Sequence, residues 1–178
     1  MTASATETQL APYGSWKSPL TTDLIISKFI RLRGSIILDG DDIYWIEGRP
    51  TEGGRSVIVR RTPDGETTDV IPPPFNARTR VHEYGGGAYS VHDGVVYFSN
   101  FADQHLYRVT PGEAPEPVTA EGALRYADGV IDDTRGCMVC VREHHRGLGA
   151  PAAEDEAVNT IVSINLADGE QRVLVSGN

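Results

Sequence analysis

The chain lacks any apolar run approaching the ~20 residues that cross a bilayer, and its first twenty residues hold neither a basic stretch nor an apolar core of the leader type. Basic residues are also in deficit. Lys and Arg total 16 against 25 Asp and Glu, for a formal net charge of −9 and a pI near 4.9. Such a surface repels phosphate backbones and anionic lipid alike, which argues against nucleic-acid and membrane partners. A soluble, cytoplasmic protein is the expectation.

Cysteine is scarce, and its placement excludes more than it offers. Cys137 and Cys140 have the C-x-x-C spacing of redox and zinc motifs. They sit in a run that reads as a strand, where residues three apart point to opposite faces, so they are taken as small buried hydrophobes. His144 and His145 beside Glu143 are adjacent residues of a solvated loop and make a poor chelate. His82-Glu83 lacks the second His of H-E-x-x-H, so neither a metal nor a cofactor is expected. Gly85-Gly86-Gly87 is no nucleotide loop, because Ser90 stands where G-x-G-x-x-G requires Gly and no helical pattern follows. Gly54-Arg55-Ser56-Val57-Ile58 begins like a nucleophile elbow, yet Ile58 occupies the final Gly position. On its own residues the chain carries no catalytic nucleophile.

What is abundant is turns: 19 Gly and 11 Pro, with repeated Asp-Gly pairs. Residues 1–34 read as an N-terminal extension, polar and disordered over 1–11, with Thr22 or Asp23 capping a short helix over 24–29. From residue 35 the chain is a series of short apolar or alternating runs. They group in fours: 35–38, 43–47, 55–61 and 66–71; then 88–91, 95–100, 105–109 and 117–119; then 127–131, 136–142, 158–166 and 170–175. The second runs align as Ile43-Tyr44-Trp45-Ile46, Val95-Val96-Tyr97-Phe98 and Met138-Val139-Cys140-Val141. A repeat of roughly 40–55 residues with four strands per unit predicts an all-β fold, a partial β-propeller over 35–178. Its blades span about 35–71, 88–119 and 127–175, each four-stranded and antiparallel. A self-contained sandwich is the competing architecture.

If each blade runs up and down in sequence, the tight turns at Asp64-Gly65, Asp93-Gly94 and Asp168-Gly169 share one face. The longer connections 48–54, 72–87 and 143–157 share the other, and function in such folds gathers on the long-loop face. The segment Arg80-Val81-His82-Glu83-Tyr84-Gly85-Gly86-Gly87 lies there. Three interior glycines rule out a helix, each costing about 0.5–1 kcal/mol relative to Ala. The segment is a shaped loop feeding a strand.

Four stretches carry a family likeness. Tyr13-Gly14-Ser15-Trp16-Lys17-Ser18-Pro19-Leu20-Thr21, Val81-His82-Glu83-Tyr84-Gly85-Gly86-Gly87-Ala88, Val96-Tyr97-Phe98-Ser99-Asn100-Phe101-Ala102-Asp103 with Leu106-Tyr107-Arg108, and Arg125-Tyr126-Ala127-Asp128-Gly129 closely resemble the start of prolyl-oligopeptidase-family serine peptidases of the acylaminoacyl-peptidase or dipeptidyl-aminopeptidase type. The second is the most specific. The resemblance implies an N-terminal β-propeller, usually of about seven blades, followed by an α/β-hydrolase domain. The Ser, Asp and His triad of the family belongs to that second domain, and no position here matches it. The chain is therefore expected to be a fragment, a truncated product or one piece of a split protein, non-catalytic by itself. Its partners would be the remaining blades and the hydrolase domain.

Further expectations follow from that resemblance. Its parent would hydrolyse short peptides near their N-terminus, with the propeller limiting access. Glu83 would hold the free α-amino group of the substrate, with Arg80, His82 and Tyr84 shaping the same rim. The structural alternative pairs Glu83 with Arg78 or Arg80 and leaves the glycines to let two blades approach. Three blades cannot close a ring, so the open flanks should make the isolated chain aggregate, self-associate or remain partly molten. A stand-alone propeller that binds a protein or ligand, with no hydrolase activity, is the competing function.

Overall fold

The computed structural model describes residues 10–15, 17–27, 30–120, 122–145 and 157–177. Most of the expected disordered start, and most of the 143–157 connection, lie outside these residues. A short helix, α1, spans Thr22–Ser27. Its cap is Thr21 rather than Thr22 or Asp23: Leu24 N–H donates to Thr21 Oγ1 at 3.1 Å.

Among the described residues, twelve strands follow in three antiparallel sheets, each a meander in chain order. The first holds β1 (Arg31–Asp39), β2 (Asp42–Arg49), β3 (Arg55–Arg61) and β4 (Thr67–Asp69). The second holds β5 (Tyr89–His92), β6 (Val95–Ser99), β7 (Leu106–Val109) and β8 (Glu116–Pro117). The third holds β9 (Leu124–Asp132), β10 (Cys137–His144), β11 (Val158–Asn165) and β12 (Gln171–Ser176). This is the partial propeller that the repeat predicts. The first strands β1, β5 and β9 are successive neighbours and mark its inner edge.

Two strands start earlier than the apolar runs suggest, for one reason. β1 pairs Arg33 with Ile46 and then jumps to Ile37 with Tyr44, a bulge centred on Gly34 at φ +72°. β9 is bulged at Asp128, φ +56°, opposite Cys140. A bulge resets the alternation, so the residues before it do not look continuous with the run after it.

Alternation along each strand explains the two cores. In β6, Val96 and Phe98 face the first sheet and pack with Tyr44, Ile46 and Ile58. Tyr97, between them, turns the other way and joins Tyr126, Met138, Val162 and Ile164 of the third sheet. Cys140 belongs to this second core and Cys137 is buried outside it, both thiols free. Burial pushes the Cys140 thiol up to about 12, which makes it a hydrophobe rather than a nucleophile. Polar ties accompany both joints. Tyr89 Oη donates to Ser35 O at 2.7 Å and Ser99 Oγ to Tyr126 O at 2.8 Å.

Candidate functional site

The connection from β4 to β5 ends in a compact turn on the long-loop face. Val81, fully buried, anchors it, and Thr79 Oγ1 accepts the Val81 N–H at 3.2 Å. Glu83 N–H donates to Arg80 O and Gly85 N–H to Val81 O, each at 2.9 Å, folding the chain back on itself. His82 and Glu83 both adopt left-handed backbone, at φ +56° and +60°. Each such non-glycine residue costs about 1 kcal/mol or more and persists only where its surroundings hold it.

The third sheet does the holding. Glu143, at the end of β10 and only 3% exposed, accepts His82 N–H at 3.0 Å. Arg125, near the start of β9, donates through Nη1 to Arg80 O at 3.0 Å and to Glu83 Oε1 at 2.7 Å, and lies 3.4 Å from Glu143 Oε2. His145 Nε2 sits 2.7 Å from the same Glu143 oxygen. One guanidinium thus serves two carboxylates, one buried and one exposed. The Arg125 hydrogen bond holds the Glu83 carboxyl below the usual carboxylate range, so it is ionised at neutral pH.

Glycine does two jobs here. Gly85 supplies φ +86°. Gly86 and Gly87 supply room, since a Cβ at Gly86 would lie 2.7 Å from Asp128 Oδ2 and one at Gly87 2.9 Å from Oδ1. The space is used reciprocally: Gly87 N–H donates to Asp128 Oδ1 at 2.6 Å, and Asp128 N–H returns to Gly87 O at 2.8 Å. The glycines do let two blades approach.

Arg80, His82, Glu83 and Tyr84 all fall on this one turn, with Tyr84 97% exposed. The expected pairing of Glu83 with Arg78 or Arg80 is not what forms. Those two guanidinium groups stack over the Phe101 ring, at 4.8 and 4.3 Å from its centroid. Glu83 is left to Arg125, a residue of the Arg125–Gly129 motif for which the sequence offers no partner. In the sequence Glu143 stands out only as a neighbour of His144 and His145. β10 runs through His144, so these two histidines diverge, and only His145 meets Glu143.

Comparison with solved structures decides the relationship. A puromycin-hydrolysing peptidase of Mycobacterium tuberculosis matches with a TM-score of 0.80 and 36% identity, over 94% of this chain and 27% of that one. A puromycin hydrolase matches with the same TM-score and 32% identity, over 95% of this chain and 28% of that one. A variant of puromycin hydrolase complexed with PGG gives 0.79 and 33%, covering 93% and 27%. The chain belongs to the prolyl-oligopeptidase (S9) family of serine peptidases. It spans little more than a quarter of the length of these family members, and the matched part is the partial propeller. No protein-family model matches the chain, and neither does any curated protein.

Proposed function

We propose that these three blades are the gating part of an S9 serine peptidase, non-catalytic alone, in which the propeller restricts the active site to short peptides attacked near their N-terminus. The likeness to peptidases across 94% of the chain carries the peptidase reading. The acylaminoacyl- or dipeptidyl-aminopeptidase type is our assignment from the loop. Within it, Glu83 is the amine anchor. Its carboxylate is 70% exposed and takes Arg125 through Oε1, and Oε2 has no hydrogen-bond partner among the described residues. Glu143 shares the Arg125 guanidinium, so Glu83 does not have that cation to itself. An incoming ammonium would donate to the open Oε2. His82, left-handed and tied to Glu143, and Tyr84, fully presented, shape the rim around it; Arg80 flanks it from its stack on Phe101.

Two experiments test this. Fluorophosphonate labelling of an extract of the source organism, with an antibody against this chain, should reveal a labelled antigen several-fold heavier than the 19.3 kDa of this sequence. An antigen found only near that mass and never labelled refutes the peptidase reading. In the intact peptidase, Glu83→Gln should slow turnover of free-amine peptides about tenfold or more while sparing N-blocked ones. Equal effects on both would remove the anchor and leave Glu83 as a structural partner of Arg125.

A further inference from the structure

The other side of the same turn borders a cavity. It opens between the first and second sheets on the long-loop face, with a volume of about 340 Å³. Arg33 and Arg78 line it, together with Ser56, Thr79, Tyr84 and the Gly85-Gly86 backbone, and among the described residues no carboxylate does. In a chain with a net charge of −9 this is a local inversion of sign.

Arg33 is the unusual member. It stands on β1 next to the bulge at Gly34, half-buried, and among the described residues its guanidinium has neither an ion pair nor a hydrogen bond. The other half-buried arginines do not share that condition: Arg49, Arg60, Arg108 and Arg125 each meet a carboxylate within 3.0 Å, and Arg142 donates through Nη1 to Gln171 Oε1 at 3.0 Å. Its place is nevertheless prepared. A Cβ on Gly48 of β2 would lie 2.8 Å from Arg33 Nε, so the guanidinium rests over a residue with no side chain. Gly48 is not one of the positive-φ glycines, which leaves space as its role. Arg78, flattened on Phe101, adds a second positive charge, and Tyr84 brings a phenol to the mouth.

A guanidinium fork without an internal acid, in a cavity without carboxylates, is suited to a carboxylate brought by a ligand. We infer that this cavity seats the C-terminal carboxylate of a short peptide on Arg33. The inference rests on the peptide reading given above and extends it to the opposite end of the substrate. Glu83 immediately precedes the residues that line the cavity, so one turn separates an amine anchor from a carboxylate seat.

The test titrates N-acetyl-alanyl-alanine, its C-terminal amide and N-acetyl-aspartyl-alanine amide into the full chain, followed by NMR shifts and calorimetry. The cavity lies in a covered joint, so association through the outer flanks leaves it open. All three probes are N-blocked, so Glu83 plays no part and failure of the amine anchor would not affect the result. The free acid should bind about tenfold or more tightly than either amide. Arg33→Gln should reduce the acid to the level of the amides, and Gly48→Val, which keeps the charge but displaces the guanidinium, should do likewise. Equal binding of acid and amide, an aspartyl amide as tight as the acid, an unchanged acid in Arg33→Gln, or no saturable binding of the acid would each overturn the inference.

Discussion

The middle sheet and the outward sides of its two neighbours are made of similar residues in opposite surroundings. In β6, Val96 and Phe98 are fully buried on one side and Tyr97 is 9% exposed on the other, because a sheet covers each. In β1, Ile37 packs into the first joint, while Leu32, Ile36 and Leu38 stand 73%, 71% and 70% exposed. The third sheet repeats this with Val130, Ile161 and Val175 at 68%, 42% and 56%. β1 is therefore patterned like β6 with one cover removed. A strand that faced water on its outer side would alternate apolar with polar, and β1 is apolar on both sides from Ile36 to Leu38. The comparison separates residues that hold this chain together now from residues whose contribution waits on a covering surface.

The largest expected effect breaks a covered joint. Phe98→Ala removes a ring that packs 5.9 Å from Phe75 and 5.7 Å from Tyr107, and should cost about 3–5 kcal/mol in urea unfolding. Leu38→Ala on the open flank should stay within about 0.5 kcal/mol. A comparable loss at Leu38 would mean that something already covers the flank in solution.

Next in size is the close approach of the second and third sheets. Gly86→Val would drive side-chain atoms toward Asp128 and Ala127, and should cost about 1–3 kcal/mol. Gly122→Ala, where only Leu124 Cγ lies near at 3.9 Å, should be close to neutral. If the two behaved alike, the reciprocal Gly87–Asp128 bonding would not be setting the joint. The flanks themselves are probed by association rather than stability. Paired Leu32→Glu and Leu38→Lys substitutions should lower the concentration-dependent mass in sedimentation, and an unchanged mass would place self-association elsewhere.

Most of the sheet structure was legible because alternation and Asp-Gly turns are local signals. The residues that escaped were those fixed by long-range geometry. The starts of β1 and β9 were hidden by bulges at Gly34 and Asp128, which interrupt the period that reveals a strand. The helix cap fell one residue early, on Thr21, because several capping residues compete there. The site was legible as a turn and not as a network. The charged and aromatic run before three glycines pointed to a shaped loop, but Arg125 lies 42 residues from Glu83 and Glu143 lies 61 from His82. No spacing rule links them. Nearby arginines were the natural candidates, and Phe101 had taken them.

The smallest effect expected is at the exposed end of that network, and its sign can be worked out. Glu83 has a lowered folded-state pKa, chiefly through its hydrogen bond from Arg125. A carboxyl so shifted contributes stability above its unfolded value, near 4.3, and loses it as pH falls through the folded value. Wild type should therefore be slightly more stable than Glu83→Gln at pH 7, and the gap should close below about pH 4. Salt should narrow it as well, since the pair is open to solvent. Arg125 retains Glu143 in the variant, which limits the loss further. The measurement is the urea midpoint of both proteins from pH 7 to pH 3. A gap that widened on acidification would mean that the ionised Glu83 strains its left-handed turn. The buried Glu143 alone would then be holding the loop, and the exposed carboxylate would be maintained for something other than the fold.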